Sequence, residues 1–175
     1  MPRLQTKRDA VERFVALAPV IPVVTIDDPA DAVPLAATLV EAGLPVVEIT
    51  LRTPMALRAM EAVARSVPDA VVAAGTVIRP EQIESAWKAG AKLLVTPGTS
   101  PTMAEALAEA ALPAMPAAAT VGEALHLHDL GFHILKFFPA APAGGAAWIK
   151  AVAAPMPAIR FCPTGGIDGT SAPAY

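Results

Sequence analysis

The chain has 175 residues, of which 54% are hydrophobic and 17% charged, and its formal net charge is −3; this suits one domain, residues 1–175, with a sizeable core. A mildly acidic balance with no basic run and only 5% aromatics gives nothing to grip nucleic acid. The longest uncharged stretches, 110–122 and 137–149, are broken by prolines and fall short of the roughly 20 apolar residues of a membrane span.

The first residues carry no apolar signal segment, so the cytoplasm is the default expectation. A single cysteine, Cys162, excludes an internal disulfide and fits a reducing compartment. Lying after Phe161 in a strand-like run, it reads as a small core residue rather than a nucleophile.

In chain order, residues 1–18 hold a leading helix around Arg8–Leu17, after which β-like and helical runs alternate. The strands predicted are Val20–Ile26, Val46–Leu51, Val71–Val77, Leu93–Pro97, Ala114–Ala118, Ile134–Phe138 and Ile159–Pro163. Between them lie amphipathic stretches at Asp31–Glu41, Pro54–Ser66, Pro80–Lys88, Pro101–Ala110, Val121–Leu130 and Ala146–Ala153. Gly43, Gly90 and Gly131 mark helix stops, and Pro54, Pro80 and Pro101 mark first turns. Apolar strands alternating with helices predict a parallel sheet buried on both faces. Seven such units, with polar residues gathered at strand C-terminal ends, favour a (β/α)8 TIM barrel over an open doubly wound sheet. The count stops at seven, and a closed barrel typically takes about 250 residues. The expectation is therefore a barrel whose last βα unit is missing from this chain; the alternative is a sheet left open with exposed edges.

Chemistry concentrates in Ile134-Leu135-Lys136-Phe137-Phe138-Pro139-Ala140, an apolar run with one lysine in its middle. A buried ammonium costs several kcal/mol unless it is paired or sheds its proton, and a neutral lysine is the nucleophile of Schiff-base chemistry. The plainer alternative is that Lys136 ends its strand and extends its head to solvent. In barrels the active site lies where strands end. Strand two ends Glu48-Ile49-Thr50-Leu51-Arg52, and a period of two puts Glu48, Thr50 and Arg52 on one face. Glu48 and Arg52 are there as reacting groups or as a buried ion pair, extended to Lys136 in a purely structural network. Thr164-Gly165-Gly166 after strand seven is a phosphate candidate, since glycines let backbone N–H groups approach an anion. His126 and His128 are two apart on a helix, and His133 opens strand six at the far end from these loops. No metal site and no cofactor are expected.

Taken in order, Glu48-Ile49-Thr50-Leu51-Arg52-Thr53, Gly75-Thr76-Val77, Thr96-Pro97-Gly98, Lys136-Phe137-Phe138-Pro139-Ala140 and Phe161-Cys162-Pro163-Thr164-Gly165-Gly166-Ile167 resemble the KDPG/KHG aldolase family, from about Pro19 to Ile167. The resemblance implies a class I aldolase on a (β/α)8 barrel, trimeric and cytoplasmic, acting on 2-dehydro-3-deoxy-6-phosphogluconate or 4-hydroxy-2-oxoglutarate. It implies Lys136 as the Schiff-base lysine, Glu48 as general acid/base, and Arg52 with Thr76 as holders of the substrate carboxylate. Pro97 and Phe138 join the substrate-binding set, Phe138 as a wall, and Thr164, Gly165 and Gly166 form the phosphate-side loop. The chain departs from the family at Ala117, where Pro-Gly is usual, and at Ala141-Pro142, where an acidic residue is frequent. A non-catalytic barrel fragment stabilised by oligomerisation is the alternative of another class.

Overall fold

Each strand brings apolar residues that need cover on both faces, and each following helix supplies it on one. In the computed structural model, which describes residues 2–175, the order is α1 (Pro2–Val15), β1 (Val23–Val24), α2 (Pro29–Glu41), β2 (Val46–Thr50), α3 (Ala56–Ser66), β3 (Val71–Gly75), α4 (Glu81–Lys88), β4 (Leu93–Val95), α5 (Pro101–Glu109), β5 (Ala114–Met115), β6 (Ala117–Ala118), α6 (Val121–Asp129), β7 (Ile134–Phe137), α7 (Gly145–Ala153) and β8 (Arg160–Pro163). Helix starts are fixed locally: Ser100 accepts a hydrogen bond from the Met103 N–H, and Thr120 with Glu123 forms a reciprocal capping box. The stops read at Gly43, Gly90 and Gly131 fall where α2, α4 and α6 end.

All strands pair in parallel, β1 to β5 in one sheet and β6, β7 and β8 in a second. Side chains alternate about this surface. Val47, Ile49, Ala74, Leu94 and Leu135 pack outward against the helices. Val46, Ala73, Leu93, Val95, Met115 and Ile134 form a separate inner cluster with Val11 of α1. Because that cluster draws on both sheets, the sheets curve around it. The helix α1 lies across its lower end, with the Lys7 ammonium donating to the Ala108 carbonyl at 2.7 Å, Arg8 Nε to the Gly131 carbonyl at 2.7 Å, and Glu12 facing both His133 Nε2 (2.8 Å) and Arg160 (2.9 Å).

Three expectations are corrected. The run Val20–Ile26 pairs only over Val23–Val24, because Pro19 and Pro22 have no N–H to donate and the strand has a single neighbour, β2. The run Ala114–Ala118 is split at Pro116, which again lacks an N–H; the next donor, the Ala117 N–H, goes to Thr96 Oγ1 at 2.8 Å instead of to a backbone carbonyl. The opening helix is Pro2–Val15, not Arg8–Leu17.

Candidate active site

The strand β7 sets the lysine. Leu135 and Phe137 point outward, fully buried, and Phe137 stacks on Trp148 of α7 at 4.3 Å between ring centroids, with Phe161 of β8 edge-on to both. With that face locked, period two sends Lys136 inward. Its own N–H is held by the Pro116 carbonyl at 2.9 Å, so the break that proline makes in one strand also fixes the lysine backbone on the next.

Lys136 does not reach solvent. It is 4% exposed, and its Nζ donates to Glu48 Oε1 at 2.9 Å and Oε2 at 3.3 Å; Glu48 is 2% exposed. The ammonium head is also 5.7 Å from the centre of the Phe138 ring. An amine and a carboxyl group at 2.9 Å can pass a proton directly, leaving a neutral amine and a carboxylic acid inside the pocket. Such a pair is poorly explained as a stabilising device, since a buried ion pair often gains nothing over apolar packing.

Arg52 does not join this pair. The strand β2 ends at Thr50, so Arg52 stands beyond it, exposed, with no hydrogen bond or ion pair among the described residues. The Glu48–Arg52 ion pair and the three-residue network are therefore not formed. Thr50, on the same face as Glu48, bridges strands: it donates to the Val24 carbonyl at 3.0 Å and meets Thr25 Oγ1 at 3.0 Å.

Thr76 follows β3 with a left-handed backbone, φ 57°, the only residue other than glycine with a positive φ among those described. Its hydroxyl has no protein partner. Pro97 is half-buried after β4, in a loop sewn to β6 by a pair of hydroxyls: Thr96 Oγ1 and Thr99 Oγ1 lie 2.9 Å apart, and Thr99 Oγ1 donates to the Ala117 carbonyl at 2.9 Å. Neither threonine is signalled as functional by the sequence, because their use depends on the gap that Pro116 opens. Ala117 pairs in register with Lys136, so its methyl group faces the same interior.

At the rim, the loops after β7 and β8 run together: the Ala140 N–H donates to the Thr164 carbonyl at 2.8 Å, and the Ala141 N–H to the Gly165 carbonyl at 3.0 Å. Gly165 and Gly166 are both left-handed, with φ 99° and 72°, and their own N–H groups donate to no protein acceptor. Consecutive free N–H groups on such a turn form an anion-binding concavity. Burial pushes the Cys162 thiol up from its ordinary value, and the Glu48 charge adds to this, so the sulfur is held as a thiol rather than as a nucleophilic thiolate. His126 and His128 stay apart on α6, His133 is engaged with Glu12 below, and no group of three metal-ligating side chains occurs among the described residues.

A sequence profile of the KDPG and KHG aldolase family matches residues 11–175. The KHG/KDPG aldolase of Escherichia coli is 40% identical over 161 residues, 92% of this chain and 76% of that protein. The 2-dehydro-3-deoxy-phosphogluconate aldolase of Zymomonas mobilis is 42% identical over 165 residues, 94% of this chain and 79% of that protein. The crystal structure of the Zymomonas mobilis enzyme with 3-phosphoglycerate superposes with a TM-score of 0.90 over 95% of this chain and 79% of that one, at 42% identity. The Legionella pneumophila KDPG aldolase, with pyruvate captured as a covalent carbinolamine, gives 0.90 over 93% of this chain and 79% of that one, at 40% identity. With identities near 40% spread over nearly all of its length, and with a buried amine–carboxylate pair at its centre, the chain belongs to the KDPG and KHG aldolase family and is a class I aldolase.

Proposed function

We propose that this aldolase cleaves 2-dehydro-3-deoxy-6-phosphogluconate to pyruvate and D-glyceraldehyde 3-phosphate, with Lys136 as the amine that carries the substrate. The observation that bears most weight is the Lys136–Glu48 pair at 2.9 Å, buried at the end of the inner cluster. With its proton passed to Glu48, the Lys136 amine adds to the C2 ketone. Glu48 returns a proton to the carbinolamine oxygen, water leaves, and the iminium becomes the electron sink. The Glu48 carboxylate then takes the C4 hydroxyl proton as the C3–C4 bond breaks. Its electron pair flows to the iminium nitrogen, giving the aldehyde and a pyruvate enamine. The same carboxylic acid protonates C3, and water hydrolyses the iminium to free pyruvate and Lys136.

The free Arg52 guanidinium and the unpartnered Thr76 hydroxyl support a carboxylate-holding role at the rims of β2 and β3. Pro97 and Phe138 wall the substrate, and Thr164 with the free N–H groups of Gly165 and Gly166 receives the phosphate. The names of the relatives favour the phosphorylated substrate. The double name of the Escherichia coli relative supports a second reading, 4-hydroxy-2-oxoglutarate cleaved to pyruvate and glyoxylate at the same site.

The proposal extends to architecture. The seven strand positions are those of a (β/α)8 barrel; among the described residues no strand pairs with the outer edges of β1 and β8, and the chain spans 76% and 79% of the Escherichia coli and Zymomonas mobilis relatives. A cytoplasmic homotrimer completes the reading, with Ile78 and Trp87, each more than half exposed, offering apolar surface for association. Incubation with pyruvate and borohydride tests the chemistry. The expected result is a mass gain of one reduced pyruvate on Lys136, absent from K136A; folded protein that gains no mass would overturn the assignment.

A further inference from the structure

Gly75 ends β3, in register with Thr50 and two residues beyond Ala73, the partner of Glu48. Nothing in its backbone asks for glycine, since its φ lies outside the left-handed range; the strained position is its neighbour, where a threonine sits at φ 57°. The usual assignment of residues is thus inverted along two consecutive positions. The β-branched residue occupies the conformation that suits glycine, and glycine occupies ordinary strand backbone.

The reason lies across the strand pair. A Cβ built on Gly75 would stand 2.6 Å from Glu48 Cγ and 2.9 Å from Glu48 Cδ, and nearer still to Oε1. All three of its nearest neighbours belong to that one side chain, and ordinary Cβ contacts do not fall below 3.0 Å. The Glu48 carboxylate therefore lies in the space that a side chain at this position would fill. Because Cγ itself is too close, an alanine at 75 is accommodated only if the whole Glu48 side chain turns about its Cα–Cβ bond, which carries the carboxyl group away. Turning it away breaks the 2.9 Å contact with Lys136.

We infer that Gly75 is a positioning residue for the aldol chemistry, its missing side chain being what allows Glu48 to hold its carboxylate against Lys136. The inference rests on the proton-carrying role proposed for Glu48. It also separates two functions in the Gly75-Thr76 pair: the glycine makes room for the acid, and the threonine presents its hydroxyl. Displacing a reacting group by about 1 Å is enough to cost on the order of 100-fold in rate.

The test follows exchange of the pyruvate methyl protons for deuterium by NMR, in wild type, G75A, E48Q and G75A/E48Q, each first shown to be folded by its thermal melt. Exchange requires the enamine and its protonation and needs no aldehyde. G75A is expected to exchange about 100-fold more slowly than wild type, while in the E48Q background the same substitution changes the rate by less than about threefold, because no carboxylate remains to be placed. An equal loss in both backgrounds, or a G75A rate equal to wild type, would overturn the inference. E48Q exchanging at the wild-type rate overturns instead the proton-carrying role itself, and is recognisable because it does not involve residue 75. Should G75A fail to fold, G75A/E48A decides: recovery of the melt supports Glu48 as the occupant of that space, and continued loss shows that another contact forbids the side chain.

Discussion

Thr76 keeps a left-handed backbone although it is β-branched, a conformation that costs an L-residue roughly 1–2 kcal/mol and persists where function needs it. Replacing it with glycine relieves that strain but adds unfolded-state freedom worth about 0.5–1 kcal/mol. T76G is therefore expected to melt at the wild-type temperature or slightly above, by up to about 1 kcal/mol of stability, while the KM for substrate rises because the hydroxyl is gone. A variant both less stable and fully active would contradict this account. At this scale the sequence makes charged exceptions visible. Lys136 stands out because an apolar strand surrounds it, and Glu48 because period two turns it inward. What it does not reveal are relations set by register. Which β3 residue lies beneath Glu48, and that Thr96 takes the Ala117 N–H, depend on how neighbouring strands slide against each other. Alternation assigns a face only while the strand lasts, and since β2 ends at Thr50 it says nothing of where Arg52 points.

Among the elements, α1 packs Val11, Phe14 and Val15 against the inner cluster and adds ionic contacts at its exposed side. Glu12 receives His133 and Arg160 together, and these partners hold its carboxyl below the ordinary range, the His133 hydrogen bond first and the Arg160 charge second. A depressed carboxylate contributes stability above its unfolded value, about pH 4.3 for glutamate, and loses it as pH falls through the lower folded value. The wild-type melting temperature is therefore expected to exceed that of E12Q near neutrality, with the two curves converging on acidification below that value; a constant gap down to pH 2 would show that the ion contacts are not the cause. The Glu12 side chain is half exposed, so the difference is small and shrinks further with added salt. Helices and most strands were legible because their periodicities are long and capped. The shortness of β1 and the split at Pro116 follow from missing N–H donors, a signal present in Pro22 and Pro116 yet readable only once the neighbouring ladder is known.

For the whole molecule, repeated βα units make the parallel architecture plain from the sequence, whereas the curvature that brings β2 and β7 within one hydrogen bond across the interior is a collective property of strand twist and tilt. Between β1 and β8 the two sheets leave a cleft of about 440 Å³, lined by Val20, Val23, Glu48, Met115, Cys162 and Thr164. That cleft is a window from the flank of the molecule onto the Glu48 carboxylate, and Cys162 is a built-in reporter of whether the window is shut. Its thiol, raised above the ordinary value, is expected to alkylate slowly with iodoacetamide at pH 7 and faster as the medium becomes alkaline. A chimera carrying the segment by which the Escherichia coli relative exceeds this chain should label more slowly still if that segment lies in the cleft, and at an unchanged rate if it folds elsewhere. One sulfur atom thus gives a footprint of the gap between the two sheets, taken without substrate and independent of turnover.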